Sequence, residues 1–540
     1  MLPNTAGWCR FRPIRAWLGG RGARPTLLAL ALLTAGGYWL LWAPAYRLNE
    51  RIEYADWLLA AWPWVGGGLA VVLRLVGVVA PAALASYQGS ALLLLSLLIG
   101  QFMLYLLALW LVGRVSRRLA VGVLLALTAL VQAVLLPLPG VFTTDLFSYA
   151  MYGEIAGRFG SSPYVQTPSD YPAHPLYLLI NPLWRDAPSV YGPVWTALSS
   201  AVGAVLGGRL LAETLAYRLI ADLCHWLNLG LLWWALRRLR PGAEPRGLAL
   251  YAWNPLVLFE FAGNGHNDGT MLVFLVLAFG LLARGRVRLG WGALALSVAT
   301  KYTTALLAPL VLWWATRGAR GWRRLALLVA GGMALLAVLA ALYLPWWRGA
   351  DTLGPVRYWL TTPLYVNYAP LGLAIWLRDM LAALSGGAPE DFEPWVFGAQ
   401  RQLVRLGLLG LIAWEAARLR QAADLPLACA RVWLAFLLGV NTWVLPWYYT
   451  WPLALVALGT PRSRTTWVAV AFTLSAPVSM YWAQARFSGL DVAGYLVYLA
   501  PLGGLALWAF VRRLSPWLRA RAPLAPSGTD PGVVTALDAH

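Results

Sequence analysis

An acidic residue after the third apolar run of the sequence could supply a catalytic carboxylate. Asp145 lies in the segment 141–158, whose amphipathic spacing predicts a helix in the membrane interface. Thr143 or Thr144 is a natural N-cap, which places Asp145 in the first turn, where the helix dipole favours an ionised carboxylate. Asp145 is then suited to act as a general base or a metal ligand. The alternative is a helix-start residue without chemistry, since Asp is common at that position.

The same helix places other side chains relative to Asp145. Tyr149 and Tyr152 follow it at i+4 and i+7 and share its face, so they are candidate substrate-binding residues. Glu154 and Arg158 have the i, i+4 spacing of an ion pair and lie on another face.

A second polar group interrupts two apolar runs at Gly263-Asn-Gly-His-Asn-Asp268. An Asp at membrane depth costs about 2.5 to 3.5 kcal/mol on insertion scales, so such residues mark a functional site or a satisfied polar network. We expect His266, Asn267 and Asp268 to bind substrate. The alternative is a hydrogen-bonded turn that holds neighbouring helices together.

Lys301 is the only lysine in a chain with 42 basic residues. Its ammonium group is a compact point charge suited to phosphate, whereas an arginine binds phosphate through two parallel hydrogen bonds. Lys301, with Arg348 and Arg357 in a later loop, is therefore a candidate phosphate-binding residue. A lysine that extends its charge toward the membrane surface is the alternative for Lys301.

Aromatic residues are concentrated in Trp443-Val-Leu-Pro-Trp-Tyr-Tyr-Thr-Trp451. Trp447 and Tyr448 are candidate substrate-binding residues, although an aromatic belt at the membrane interface is the simpler interpretation. The sequence has no P-loop, no GxSxG motif and no Cys/His cluster with metal-ligand spacing. We therefore expect no metal site and no cofactor, while a carboxylate site leaves room for a divalent cation.

Composition assigns these residues to a membrane protein. Hydrophobic residues make up 60% of the chain and charged residues 12%, against about 25% charge in a typical soluble domain. The net charge of +20 comes from arginines in short loops between apolar runs, the pattern of cytoplasmic loops. Their expected partners are membrane lipids and not nucleic acid.

The arginine clusters also predict the topology. Neighbouring cytoplasmic clusters must be separated by an even number of crossings, which predicts an all-α, polytopic transmembrane bundle of about 12–14 spans in the cell membrane. The stretches 62–86, 193–207 and 369–384 are expected to be re-entrant or interfacial helices on the outer side. The predicted divisions are a cytoplasmic N-terminus (1–25), a transmembrane domain (26–511) with large outer loops at 139–192 and 346–368, and a cytoplasmic tail (512–540) that is disordered at its end.

Several short motifs occur in an order that is familiar. They are Asp145-Leu-Phe-Ser-Tyr149 with Gly153, Gly157 and Ser162-Pro-Tyr164, then Tyr191-Gly-Pro-Val-Trp195, Gly265-His-Asn-Asp268, Thr300-Lys-Tyr302 and Pro446-Trp-Tyr448. With these motifs the chain resembles the GT-C superfamily of membrane glycosyltransferases, and most of all its polyprenyl-phosphomannose-dependent α-1,6-mannosyltransferases and their uncharacterised bacterial relatives.

The resemblance implies transfer of a hexose, with mannose expected, from a polyprenyl-phosphate donor to a glycan or lipid-glycan acceptor on the outer face. Asp145 matches the essential acidic residue of the superfamily, and Tyr191 joins the candidate substrate-binding residues. Inversion by single displacement, without a required metal, is the expected course. The alternatives are a ligase or polymerase that uses lipid-linked oligosaccharides, and a transporter or flippase of lipid-linked sugars.

Overall fold

The structure, a computed structural model, describes residues 22–49, 52–361, 368–460, 463–484 and 499–512. Every regular element in these ranges is helical, so the predicted all-α polytopic bundle is confirmed. Most of the predicted N-terminal segment, the part of the second outer loop at 362–367 and the tail beyond 512 lie outside the described residues.

The described part of the chain consists mostly of α-helices. In chain order they are α1 Ala23–Leu40, α2 Trp42–Leu48, α3 Ile52–Ala61, α4 Pro63–Val79, α5 Pro81–Ala85, α6 Tyr87–Val112, α7 Arg117–Leu135, α8 Asp145–Gly157, α9 Pro175–Leu179, α10 Pro193–Leu206, α11 Leu210–Leu239, α12 Glu244–Ala252, α13 Pro255–Leu258, α14 Asp268–Ala283, α15 Val287–Thr300, α16 Ala308–Ala315, α17 Gly321–Tyr343, α18 Gly354–Thr361, α19 Tyr368–Ser385, α20 Pro389–Arg418, α21 Leu425–Ala435, α22 Thr450–Leu458, α23 Arg464–Gln484 and α24 Leu499–Arg512. Two π-helical segments, Phe259–Gly263 and Phe436–Val440, interrupt the regular helices.

Six of the described helical segments are long and apolar enough to cross a membrane. A seventh is added if α3 and α4, which are bent by 113° at a short break, form one broken span or a re-entrant loop. The predicted number of 12–14 spans thus depends on shorter apolar helices such as α14 and α15, and it stays a prediction. The three predicted outer segments are helical as α4 with α5, α10 and α19.

The helix that begins at Asp145 packs closely against α10. A Cβ atom added at Gly203 would lie 2.2 Å from the backbone oxygen of Gly153, and one added at Gly157 would lie 1.9 Å from the backbone oxygen of Ser200. No side chain fits between the two backbones at this crossing. The glycines therefore fix the distance between α8 and α10.

The far end of α8 is held by a buried carboxylate. Glu154 pairs with Arg158 at 2.8 Å, which confirms the predicted i, i+4 ion pair, and it also accepts from the backbone N–H of Gly208 at 3.0 Å. Burial alone would raise the pKa of Glu154, but His174, Gly208 and Arg158 outweigh it and lower the pKa to about 2. The ionised Glu154 joins α8 to the start of α11.

Hydrogen bonds across helices fix α14, whose first turn contains Asp268. The amide of Asn228 on α11 donates to the carbonyl oxygen of Gly269 at 2.9 Å, and the hydroxyl of Ser297 on α15 donates to that of Met271 at 2.9 Å. Such hydrogen bonds stabilise the fold where water is scarce, because a buried carbonyl group without a hydrogen bond raises the free energy of the folded state. The start of α14 is therefore held on two sides.

The α8–α10 crossing gives a first test. Replacing Gly203 with Ala should destabilise the protein by about 1–3 kcal/mol, because the new methyl group meets backbone atoms that cannot move independently. The measurement is the thermal unfolding midpoint in detergent, with Gly230→Ala on α11 as the matched control. A Cβ at Gly230 meets open space, so that variant should be as stable as the parent or slightly more stable. Equal midpoints for the two variants would contradict the close packing.

Candidate active site

Asp145 begins α8, as the sequence predicts. Its backbone N–H donates to the hydroxyl oxygen of Thr143 at 3.3 Å, while Thr144 stands at the N-cap position. The Thr144 hydroxyl accepts from the backbone N–H of Asn181 instead. The carboxylate therefore lies in the first turn, beside the positive end of the helix dipole, and its side chain is 20% exposed.

Three tyrosines surround the first turns of α8. The Tyr149 hydroxyl donates to Asp145 Oδ2 at 3.5 Å, and the Tyr149 ring lies 5.0 Å from that of Tyr191. Tyr191 also packs 6.3 Å from Tyr152, whose hydroxyl donates to the carbonyl oxygen of Ala187. The structure thus brings together the three tyrosines that the sequence predicts as substrate-binding residues.

The turn at 264–267 places His266 between two carboxylates. Its Nδ1 is 3.5 Å from Asp145 Oδ2 and its Nε2 is 3.3 Å from Glu260 Oε2, at ion-pair distance but without hydrogen-bond alignment. The ring stacks on Trp447, with centroids 3.7 Å apart. Burial alone would lower the pKa of His266, but Asp145 and Glu260 raise it to about 9. The two carboxylates therefore favour the cationic form of His266.

The next two residues have polar atoms that other protein groups leave unused. Neither the Asn267 amide oxygen nor its nitrogen has a hydrogen-bond partner in the described part of the chain, although the residue is buried. Asp268 Oδ1 accepts from Lys301 at 2.8 Å and from the indole N–H of Trp451, whereas Asp268 Oδ2 has no hydrogen-bond partner within the same residues. Buried groups of this kind suit the hydroxyl groups of a ligand.

Lys301 lies where α15 ends, and aromatic rings cover it. Its ammonium nitrogen is 4.6 Å from the ring centroid of Tyr448 and 5.1 Å from that of Trp451, within cation–π range. An ammonium group has three N–H donors, and Asp268 takes one of them. The sequence-based choice of Lys301, Asp268 and Tyr448 thus corresponds to one contiguous cluster.

Arg348 and Arg357 are exposed residues, the first in the loop after α17 and the second on α18. The Arg348 guanidinium donates to the carbonyl oxygen of Trp347, and that of Arg357 pairs with Asp351 at 3.2 Å. This segment contacts the first outer loop at several places: the Ser162 hydroxyl donates to the carbonyl oxygen of Trp346, and the Tyr358 hydroxyl donates to that of Leu183 at 3.1 Å. None of these contacts joins the two arginines to the buried cluster around Asp145 and Lys301.

Three further residues belong to the site although the sequence analysis does not select them. Glu260 contacts His266, Tyr481 donates to Glu260 at 2.5 Å, and Trp451 donates to Asp268. The signal for Glu260 was present, because an acidic residue inside an apolar run at membrane depth indicates a functional or paired group. Nothing local marks Tyr481, which is distant in sequence.

The described residues show no obvious metal-binding site. They contain no cluster of three or more His, Cys, Asp or Glu side chains that could hold a metal ion. The described cysteines, Cys224 and Cys429, are buried thiols. What the site offers is a partly exposed carboxylate, buried hydrogen-bonding groups and one ammonium group under aromatic rings.

Comparison with known proteins relates this arrangement to an enzyme family. The family described as alpha-(1->6)-mannopyranosyltransferase, N-terminal domain, matches residues 53–317, which include Asp145, the 264–268 turn and Lys301. The alpha-(1->6)-mannopyranosyltransferase A of Mycobacterium tuberculosis is 28% identical over 395 residues, 67% of this chain and 72% of that protein. The protein of the same name from Corynebacterium glutamicum is 23% identical over 369 residues, 62% of this chain and 72% of its own length.

The chain is similar to this family of membrane mannosyltransferases. The predicted resemblance is thereby confirmed, and so is the prediction of a glycosyltransferase. This similarity favours the enzyme over the transporter or flippase alternative. The helices that place Asp145, His266 and Lys301 all lie in the part of the chain that the family matches.

The Lys301–Asp268 pair gives a second test. Replacing Lys301 with Met should destabilise the protein by about 3–5 kcal/mol, because the buried Asp268 carboxylate loses its opposite charge. Adding Asp268→Asn should restore much of the thermal unfolding midpoint without restoring transferase activity. Arg378→Met, which breaks the more exposed Arg378–Asp379 pair, is the control and should cost less than about 1 kcal/mol. A double variant no more stable than Lys301→Met would contradict the pairing.

Proposed function

We propose that the protein transfers mannose from a polyprenyl-phosphate-linked donor to a hydroxyl group of a glycan or lipid-glycan acceptor, at the outer face of the cytoplasmic membrane. Asp145 is the proposed general base. The observation that carries this proposal is the position of Asp145, a partly exposed carboxylate among residues that are otherwise buried, at the start of a helix. One of its oxygens faces Tyr149 and His266, which leaves the other for an acceptor.

The proposed reaction is a single displacement. The acceptor oxygen attacks the anomeric carbon while the bond between that carbon and the phosphate oxygen breaks. The acceptor proton passes to the Asp145 carboxylate, and the polyprenyl phosphate leaves with one more negative charge. The configuration at the anomeric carbon is inverted, and no metal ion is required for this sequence of bond changes.

Lys301 is the proposed stabiliser of the leaving phosphate. Its ammonium group bonds Asp268 but retains two N–H donors, and charge that develops on a leaving group is stabilised best by donors already fixed in place. We assign Arg348 and Arg357 a supporting role as further cations for the donor phosphate, since both are exposed and follow α17 in the chain. A lipid-borne donor also accounts for a site among membrane-level helices without a nucleotide-binding motif.

Sugar recognition is assigned to the residues around Asn267. The Asn267 amide and Asp268 Oδ2 are buried groups without hydrogen-bond partners in the described residues, so sugar hydroxyls would satisfy them. Trp447, Tyr448 and the tyrosines at 149, 152 and 191 supply the apolar faces on which a sugar ring packs. Mannose is proposed because the relatives are named mannopyranosyltransferases. The outer face is proposed because the arginine clusters favour the cytoplasm for the opposite loops.

The proposal predicts the effect of removing the base. Replacing Asp145 with Asn should lower transfer from radiolabelled polyprenyl-phosphate mannose by about 100-fold or more, because Asn has the shape of Asp but cannot take the acceptor proton. Membranes that contain equal amounts of each variant are assayed for label in the glycan fraction. Asp379→Asn, at an exposed position on α19, is the matched control and should retain the parent rate. Normal turnover by the Asp145 variant would remove Asp145 from the base role.

The donor is tested in the same assay. Polyprenyl-phosphate mannose should support transfer, and a soluble nucleotide-linked mannose should not, in membranes washed free of lipid-linked sugar synthesis. A chelator should leave the rate unchanged. Transfer from the nucleotide sugar alone would overturn the proposed donor.

A further inference from the structure

Glu260 is a buried carboxylate to which the proposed mechanism assigns no role. It lies in the π-helical segment before the 264–267 turn and is fully buried. Its Oε1 accepts from the Tyr481 hydroxyl at 2.5 Å, and its Oε2 accepts from the Asn264 amide at 2.7 Å. The same Oε2 lies 3.3 Å from His266 Nε2. Such a charge is retained in a protein interior only where several groups compensate it.

The groups bound to Glu260 also hold the chain just before Asp145. Asn264 accepts, through its amide oxygen, from the backbone N–H of Val141 at 3.0 Å. The Tyr481 ring packs 5.0 Å from that of Phe142. Phe142 has a φ of +58°, a conformation that costs free energy for a bulky residue unless its surroundings enforce it. Glu260 thus lies behind a segment whose backbone conformation must be imposed by packing.

The third group that meets Glu260 leads directly to the candidate base. His266 has Glu260 on one side of its ring and Asp145 Oδ2 on the other. Stacking on Trp447 fixes the plane of the ring. The order carboxylate, imidazole, carboxylate is therefore set by three separate elements: α8, the π-helical segment and the 3-10 helix Pro446–Tyr449, called the 446–449 turn below.

We propose that Glu260 is a positioning residue for sugar transfer: it holds His266 as a cation and fixes the 141–145 segment, so that Asp145 presents one free oxygen to the acceptor. The inference rests on the proposed function, because it assumes that Asp145 is the base. Glu260 itself touches neither donor nor acceptor. It acts on the reaction through His266 and through the backbone before α8.

The charged and titratable groups around His266 agree with this role. On α8 the nearest is Asp145, with the Tyr149 hydroxyl 3.5 Å from the backbone nitrogen of Asn267. On α11, Arg218 approaches the turn at Gly265, and its guanidinium donates to the carbonyl oxygen of Leu136.

The remaining elements add little net charge. Asp268 at the start of α14 is paired with Lys301, and the residue stacked on the imidazole from the 446–449 turn is the uncharged Trp447. From α23, Tyr481 reaches Glu260 and not the imidazole. The two carboxylates are therefore the groups that raise the pKa of His266 to about 9, against the effect of burial.

The test is the pH profile of Glu260→Gln. Glutamine keeps the shape of the side chain and can still bond Tyr481 and Asn264, but it has no charge. In the parent, kcat should fall as pH rises through about 9, where His266 loses its proton. In Glu260→Gln this midpoint should move down toward 6.5, and kcat at pH 8 should fall relative to its low-pH plateau by up to about thirtyfold. An unmoved midpoint would overturn the proposal.

Two controls separate positioning from stability. Glu415→Gln removes another buried glutamate, paired with Arg431 between α20 and α21, and its pH midpoint should equal that of the parent. Tyr481→Phe keeps the charge of Glu260 but removes one of its hydrogen bonds. In this variant kcat should fall severalfold, while KM and the pH midpoint should equal those of the parent. If Glu260→Gln does not fold, an unchanged kcat in Tyr481→Phe overturns the proposal.

The outcomes also distinguish this inference from the proposed function. An active Asp145→Asn variant means that the assigned base is wrong. The positioning role of Glu260 is then wrong as well, because it assumes that Asp145 is the base. An inactive Asp145→Asn variant together with an unmoved midpoint in Glu260→Gln leaves the transfer mechanism standing and removes only the positioning role.

Discussion

The buried charges beside Asp145 and Lys301 alternate in sign, and the arrangement of the site depends on that constraint. An ion transferred from water into a protein interior loses its hydration, so it is retained only beside opposite charge or hydrogen-bond donors. His266 lies between Glu260 and Asp145, and Asp268 is paired with Lys301. With His266 protonated, the five groups carry one carboxylate in excess. Asp145 has the most exposed carboxylate of the three, which makes it the one best able to remain charged without full compensation.

Helix ends and breaks supply the chemistry of the site. Asp145 and Asp268 are the first residues of α8 and α14, where the dipole favours a negative charge, and Lys301 follows the last residue of α15. A continuous membrane helix uses its backbone groups internally and presents mostly apolar side chains. Polar residues therefore gather where helices stop, and the π-helical segment before the 264–267 turn extends this irregularity by one turn. The close α8–α10 crossing fixes the position of α8, the helix that begins at Asp145.

Sequence reasoning predicts the local parts of this arrangement and not the long-range ones. The start of α8 at Asp145, the shared face of Tyr149 and Tyr152 and the Glu154–Arg158 pair all follow from helical spacing, and the structure has them. The contacts that complete the site join residues far apart in sequence. Tyr481 bonds Glu260 across 221 positions. Spacing rules describe neighbours within one element, so only the tertiary fold can show which distant hydroxyl compensates a buried carboxylate.

The two halves of the proposed reaction place different demands on the site. Asp145 must present a fixed carboxylate to the acceptor, and His266 lies between that carboxylate and Glu260. Glu260, 3.3 Å from the far side of the ring, balances part of the imidazolium charge and helps to keep the ring in place. At the leaving phosphate the demand is for positive charge, and an unpaired cation would be best. Lys301 is a compromise there: Asp268 fixes its position and neutralises part of its charge, and the aromatic rings over it keep water away from what remains.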